Sequence, residues 1–295
     1  MTESIDHAER IIVMKRKLLG LIGIFIFTAF CLCGCGAGND APDGAVNVTV
    51  FTDVQTSGTI MAPYAETEVN SGIAEAYGFT DSVSAENGVS ALDVMVALHE
   101  KMYGEAFTAD SAGDYLSVED GWINLAFECD TASWSVLLNG ESAHGDNESS
   151  YGGFEALTVD QTEVKDGDLI EFVSYQDTEN YADNELWILK DGEKVTEAEI
   201  AAGEELSLEI KGYSVMMLGA YGTDAITAGL APVADVMFGL VEEDGSITPM
   251  DETITGTDGK AAVSFDTAGT YVLMAYSLDG SETPCFASPL VVTVK

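Results

Sequence analysis

A chain of 295 residues exceeds what one ordinary core organises and points to two compact domains plus a tether. With 46% hydrophobic and 21% charged residues it carries enough apolar material for cores, which excludes a disordered chain. Eleven basic residues stand against 51 acidic ones, and the formal net charge of −40 excludes nucleic acid and anionic headgroups as partners of a basic patch.

The chain opens with a polar stretch, Met1 to Val13, ahead of a second methionine, so translation is expected to start at Met14. Lys15-Arg16-Lys17 and the apolar run Leu18 to Leu32 have the layout of a signal peptide. That run is shorter than the roughly 20 residues that span a bilayer, and no stop-transfer charge cluster follows it. Leu32-Cys33-Gly34-Cys35 resembles the lipobox of bacterial lipoproteins, in which a small residue precedes the cysteine that receives lipid. The resemblance implies that residues 1–35 are a leader and that Cys35 is lipidated, anchoring the protein on the extracellular face of the bacterial membrane. Two acyl chains, at about 0.8 kcal/mol per buried methylene, hold a protein stably. Four of the basic and three of the acidic residues precede Cys35, so the mature part keeps seven lysines, no arginine and 48 acidic residues, a net charge of −41.

Residues 36–45 are small and polar, as a tether requires. Beyond them Asp-Gly and Asn-Gly pairs recur between apolar runs: Asp120-Gly121, Asn139-Gly140, Asp166-Gly167, Asp191-Gly192, Asp244-Gly245, Asp258-Gly259 and Asp279-Gly280. These are hairpin signals. Strands are expected over Val46–Phe51, Trp122–Phe127, Trp134–Leu138, Leu169–Ser174 and Leu186–Leu189 in a first domain. A second set covers Leu206–Ile210, Val215–Ala220, Val233–Leu240, Ala261–Phe265, Tyr271–Ser277 and Leu290–Val294. One helix interrupts the pattern. Ser90 and Asp93 form a capping box, and Leu92, Met95, Val96, His99, Met102 and Tyr103 recur at helical spacing up to Gly104, which predicts an amphipathic helix of about four turns.

The first domain, residues 46–192, is therefore expected to be α+β, a mostly antiparallel sheet with one amphipathic helix. Its Ser90-Ala91-Leu92-Asp93-Val94-Met95, Trp134-Ser135-Val136-Leu137-Leu138-Asn139-Gly140 and Val164-Lys165-Asp166-Gly167-Asp168-Leu169-Ile170-Glu171-Phe172 segments, in that order, resemble the transcobalamin-like C-terminal domain. That module occurs in bacterial lipoproteins and in the cobalamin carriers transcobalamin and intrinsic factor. The resemblance implies a corrinoid as one candidate ligand. The animal carriers hold it against a large helical domain, which this sequence lacks. Glu193 to Glu205 reads as the domain junction. Residues 204–295 read as an all-β sandwich, and Asp266-Thr267-Ala268-Gly269-Thr270-Tyr271 resembles the tyrosine corner of immunoglobulin-like domains, in which the tyrosine hydroxyl bonds back to the main chain. Leu273 stands where antibody domains carry their second bridging cysteine, so this domain is expected to lack that disulfide. Cys129 reads as a buried thiol on a strand, with a bridge to Cys285 across the two domains as the alternative.

No catalytic residue and no metal ligand set is assigned. The mature part has two histidines and no arginine, and Gly140-Glu141-Ser142-Ala143-His144 misses the fifth-position glycine of a nucleophile elbow. His99 reads as a core histidine. Asp177, Glu179, Asp183 and Glu185 read as a solvated acidic edge, their spacing not being that of an EF-hand. Trp122 and Trp134 are expected in the core, and Trp187 as an exposed aromatic contact. His144, Tyr151 and Phe154 on a glycine-rich loop, with Tyr175 and Trp187, are the candidate ligand-contacting residues. The sequence thus reads as a lipid-anchored extracellular binding protein, not an enzyme, that captures a small molecule or a surface protein or glycan, with the cofactor unassigned. The alternative is an adhesion or structural protein with no small ligand. A pocket ringed by Tyr151, Phe154, Tyr175 and Trp187 favours capture, and a filled core favours adhesion.

Overall fold

A computed structural model describes residues 45–54, 59–83, 88–130, 133–148, 154–175, 177, 183–214, 229–242, 246–277 and 285–295. The chain divides into Met1–Asp40 and Ala41–Lys295, of which only the second contains described residues. The expected leader over residues 1–35 with Cys35, and the strand expected over Val215–Ala220, lie outside them. No helix among the described residues is long and apolar enough to cross a membrane.

The protein is mostly β-sheet. Its first part runs β1 (Ala45–Val54), β2 (Thr59–Asn70), α1 (Ile73–Ala76), β3 (Val89–Ser90), α2 (Ala91–Tyr103), β4 (Ser117–Glu119), β5 (Trp122–Leu125), β6 (Trp134–Leu138), β7 (Glu141–Ser142), β8 (His144–Glu148), β9 (Phe154–Ala156), β10 (Glu163–Val164) and β11 (Leu169–Ser174). The second part continues with β12 (Asn184–Lys190), β13 (Glu193–Lys194), β14 (Glu197–Ile200), β15 (Glu205–Ser214), β16 (Ala231–Pro232) and β17 (Val236–Val241). It closes with β18 (Ile247–Pro249), β19 (Lys260–Ser264), β20 (Gly269–Ser277), β21 (Cys285–Ala287) and β22 (Leu290–Val294).

The first sheet is ordered β2-β1-β11-β6-β7, with β1 and β11 parallel and the other pairs antiparallel. Strand β2 was not anticipated from the sequence. Its signal is the alternation of exposed Glu66, Glu68 and Asn70 with buried Thr67 and Val69, and Pro63 sits where a strand tolerates it, at a sheet edge. Val48, Val50, Ile170, Phe172, Trp134 and Val136 share one face of this sheet and pack with Leu92, Met95 and Val96 of α2.

Helix α2 starts where its cap dictates. Ser90 Oγ accepts from Asp93 N at 2.9 Å and the Asp93 carboxylate accepts from Ser90 N at 3.2 Å. Asp93, fully buried, also accepts from the Ala74 and Gly72 backbone N–H groups, so one carboxylate holds the starts of both helices. Ser90 Oγ in turn donates to buried Asp81. Ser90→Ala is therefore expected to cost about 2 kcal/mol, the upper end for a lost N-cap, because it also strips a donor from Asp81; a chemical-denaturation midpoint measures it. The amphipathic expectation needs correction: Ala91 through His99 are all buried, because Phe107, Leu116, Ile123 and Phe127 cover the side of the helix turned from the sheet. His99 Nε2 accepts from Phe127 N and its Nδ1 lies 2.8 Å from Met95 O, so Nδ1 carries the proton and the ring is a neutral core group stacked on Phe127.

Strand β5 stops at Leu125, short of the expected Phe127, because Phe127 and Glu128 adopt positive φ and turn the chain. That turn removes Cys129 from the strand and leaves it half-buried, and no disulfide joins it to buried Cys285. Trp134 is buried as expected, whereas Trp122 is 53% exposed on the β4–β5 hairpin. The pairs Asp120-Gly121, Asn139-Gly140 and Asp191-Gly192 each take positive φ at both residues and close two-residue hairpins.

In the second part, β12, β15, β19 and β21 face the sheet β14-β22-β20-β17-β18 across a core of Leu186, Ile188, Ile210, Phe238, Leu273 and Val292. Strand β12, expected in the first domain, instead pairs with β15 and β21. The stretch expected as a junction holds β13 and β14, and β14 pairs in parallel with β22. The chain passes from one sheet system to the other between β11 and β12. Tyr271 Oη donates to Thr267 O at 2.9 Å, the backward bond anticipated from the sequence, and its ring stacks on Phe265.

Candidate functional site

The anticipated rim does not come together as a pocket among the described residues. Tyr151 lies outside them, and Phe154 opens β9. His144 is exposed at the start of β8, with Nδ1 3.2 Å from Gly145 O. Tyr175 packs with Leu137, Val173 and Phe286, its ring centroid 5.9 Å from that of Phe286. Trp187, expected to be exposed, is half-buried: Lys194 Nζ sits 4.6 Å above its ring and Tyr213 meets it edge-on at 6.2 Å. An open groove of about 360 Å³ lies elsewhere, between β2 and α2, lined by Glu66, Thr67, Glu68, Ile73, Ala97 and Glu100, and none of the candidate residues borders it.

The structure assembles a different cluster, at the face of the first sheet turned from α2. Strand periodicity places Phe51 and Asp53 of β1, Glu171 and Val173 of β11, and Leu137 of β6 on that face, with Phe51, Glu171 and Leu137 in one cross-strand row. A solvated face would suit the two acids. The second part covers it instead: Phe51 packs with Met274, Val241, Ile247 and Tyr276, and Leu137 and Val173 with Phe286. Asp53 is 3% exposed and Glu171 0%.

Glu185 on β12 meets this layer from the other side and is fully partnered. Its Oε1 accepts from Trp187 Nε1 at 3.3 Å and lies 3.8 Å from Lys194 Nζ, while Oε2 accepts from Tyr213 Oη and from Ser142 Oγ at 3.4 Å. Lys194 also donates to Gly140 O. Asp183, just before it, is buried and accepts from Asp177 N, so two of the four acids expected at a solvated edge face the interior. Glu171 and Asp53 are served less well. The Glu171 carboxyl faces Ser288, yet neither of its oxygens makes a hydrogen bond of good geometry to a described residue, and Asp53 Oδ2 has none either.

Burial sets the protonation of this layer. It pushes Asp53 up to about 7, and Glu171 up to about 8 against the opposing pull of Ser288 and Lys194. Burial raises Glu185 as well, offset by Lys194 and its three hydrogen-bond donors. Burial and the neighbouring Glu185 raise the Tyr213 hydroxyl, which stays a neutral donor. The arrangement can hold protons at a packed interface. Among the described residues no three His, Cys, Asp or Glu side chains converge as a metal site. Sequence reasoning missed Asp53 and Glu171, whose signal is a lone acid within each apolar strand, Val48 to Val54 and Leu169 to Val173.

No family model matches the chain, and no curated protein matches it. Among solved structures, one of Sidekick-1 immunoglobulin domains 1-4 matches over 55% of this chain and 43% of its own, at 12% identity and a TM-score of 0.20. The chain thus spans less than half of that structure, and so loose a likeness carries no argument about fold or function.

Proposed function

We propose that this is a non-enzymatic, lipid-anchored protein of the bacterial cell surface whose β-rich body makes contacts with a macromolecular partner, protein or glycan. One observation carries the preference for contact over capture: two of the four aromatics named for a pocket wall are engaged in packing, Tyr175 against Phe286 across the two sheet systems and Trp187 against Lys194 and Tyr213 within the second. A second supports it, since Trp122 stands 53% exposed at a hairpin, where an aromatic ring suits a protein or glycan surface. The signal-peptide layout and the lipobox around Cys35 support export and anchoring. The segment order around α2 supports a transcobalamin-like first module, and the Tyr271 bond supports an immunoglobulin-like second one.

Anchoring is tested by Cys35→Ala. The variant is expected to lose detergent-phase partitioning almost completely, since one unlipidated residue removes both acyl chains. Unchanged partitioning would locate the anchor elsewhere. For the choice between contact and capture, the full-length protein in detergent is titrated with cobalamin while tryptophan fluorescence is followed. No quenching at micromolar ligand is expected, and saturable quenching would restore the corrinoid reading.

A further inference from the structure

We propose that the interface between the first sheet and the second part of the chain is a proton-held seal, closed while the Asp53 and Glu171 carboxyls are neutral and loosened when they ionise. Both acids stand on the one sheet face that the second part covers, on adjacent strands. Apolar contacts flank them on both sides, Phe51 with Met274 and Leu137 with Phe286. Three of their four carboxyl oxygens make no hydrogen bond of good geometry to a described residue, although Ser288 faces Glu171. A neutral carboxyl tolerates such a place better than a carboxylate, whose lost hydration Ser288 and Lys194 offset only in part at Glu171.

The surrounding charges cannot neutralise a second and third anion. Facing Glu171 are Glu185 from β12, Lys194 from β13 and Ser288 ahead of β22; Tyr213 from β15 stands beyond Glu185 with Tyr175 near it, Asp183 acts on Cys285 at the start of β21, and Tyr276 from β20 lies beside Phe51. Cys285 is neutral, pushed up to about 12 by burial and by Asp183. Lys194 is the one cation of the layer among the described residues, and it is already committed to Glu185, Gly140 O and the Trp187 ring. Ionised Asp53 and Glu171 would repel each other and Glu185, and separating the two faces to admit water relieves both costs.

The direction follows from the raised values. A carboxyl that titrates near 7 or 8 in the closed form and near its ordinary range in water binds its proton more tightly when closed. Its stabilising share is complete in acid and is lost as pH rises through about 7 and about 8. His99 opposes this trend on the far side of the first sheet. Burial lowers it to about 4, so the first core loses stability as pH falls from the ordinary histidine value toward that point. Acid therefore tightens the interface while weakening the core behind it, and the two are separable.

Hydroxyl-radical footprinting of the full-length protein in detergent, at about pH 5.5 and about pH 8.5 on either side of the two transitions, tests the seal. Oxidation of Phe51, Phe286 and Tyr213 is expected to rise at least about tenfold at the higher pH, the change in open population that a single pKa unit of differential proton binding supplies. Phe172 and Leu92, in the core against α2, are expected to hold constant. The pair Asp53→Asn with Glu171→Gln, which keeps shape and removes ionisation, is expected to flatten the response. The proposal is overturned if wild-type Phe51 and Phe286 react equally at both pH values, if Phe172 and Leu92 rise with them, or if the rise persists in the double variant. Should that variant not fold, the wild-type comparison alone decides.

Discussion

Lys194→Met is expected to destabilise the protein by about 3 kcal/mol at neutral pH, the low end for breaking a buried ion pair. Lys194 Nζ lies 3.8 Å from Glu185, its side chain is 19% exposed and that of Glu185 only 2%. Removing the ammonium leaves the carboxylate to three neutral donors, Tyr213, Trp187 and Ser142. Protonation of Glu185 limits the loss, because burial already raises its pKa. The double variant Lys194→Met, Glu185→Gln is expected to recover much of the stability, since a neutral amide removes the stranded charge. A urea-denaturation cycle over the four proteins measures the coupling, and additive losses would show that the pair contributes nothing as a pair.

Phe51→Ala is expected to cost about 3–5 kcal/mol, as truncation of a fully buried aromatic does when its surroundings cannot close around the gap. Phe51 is 0% exposed and is wedged between the first sheet and Met274, Val241, Ile247 and Tyr276 of the second part. The loss falls on the interface, not on either core, so its signature differs from that of Phe172→Ala, which opens a hole against α2. Paired with Met274→Ala, Phe51→Ala is expected to show non-additivity of at least about 0.5 kcal/mol in denaturation midpoints, because the two side chains share one contact. Strict additivity would mean that the two side chains do not press on each other.

Local features were legible in the sequence because each depends on residues a few positions apart. The Ser90–Asp93 box, the stop at Gly104, the hairpins at Asp120-Gly121, Asn139-Gly140 and Asp191-Gly192 and the strands Trp134–Leu138, Leu169–Ser174 and Leu290–Val294 stand where they were anticipated. Strand β2 was hidden by Pro63 and by its glutamates, which disguise an edge strand as loop. The Ala- and Glu-rich stretch after Gly192 concealed β14, whose hydrogen bonds go to β22 at the other end of the chain.

By itself the sequence determined the strongly acidic, sheet-dominated character of the chain, its helix caps and its turns, since composition and short-range stereochemistry suffice for these. Only the tertiary structure decided which faces are inside. Period-two alternation sets Asp53 and Glu171 opposite the α2 core, and on a one-sided sheet that face is wet. Contacts spanning more than 100 residues, such as Phe51 with Met274 and Leu137 with Phe286, bring the second part down over it. Pairing of β12 with β13 and β15 likewise turns Trp187 from a surface ring into one braced by Lys194 and Tyr213, while Trp122 stays outside. Burial belongs to the assembled layers, and no pattern read along one strand contains it.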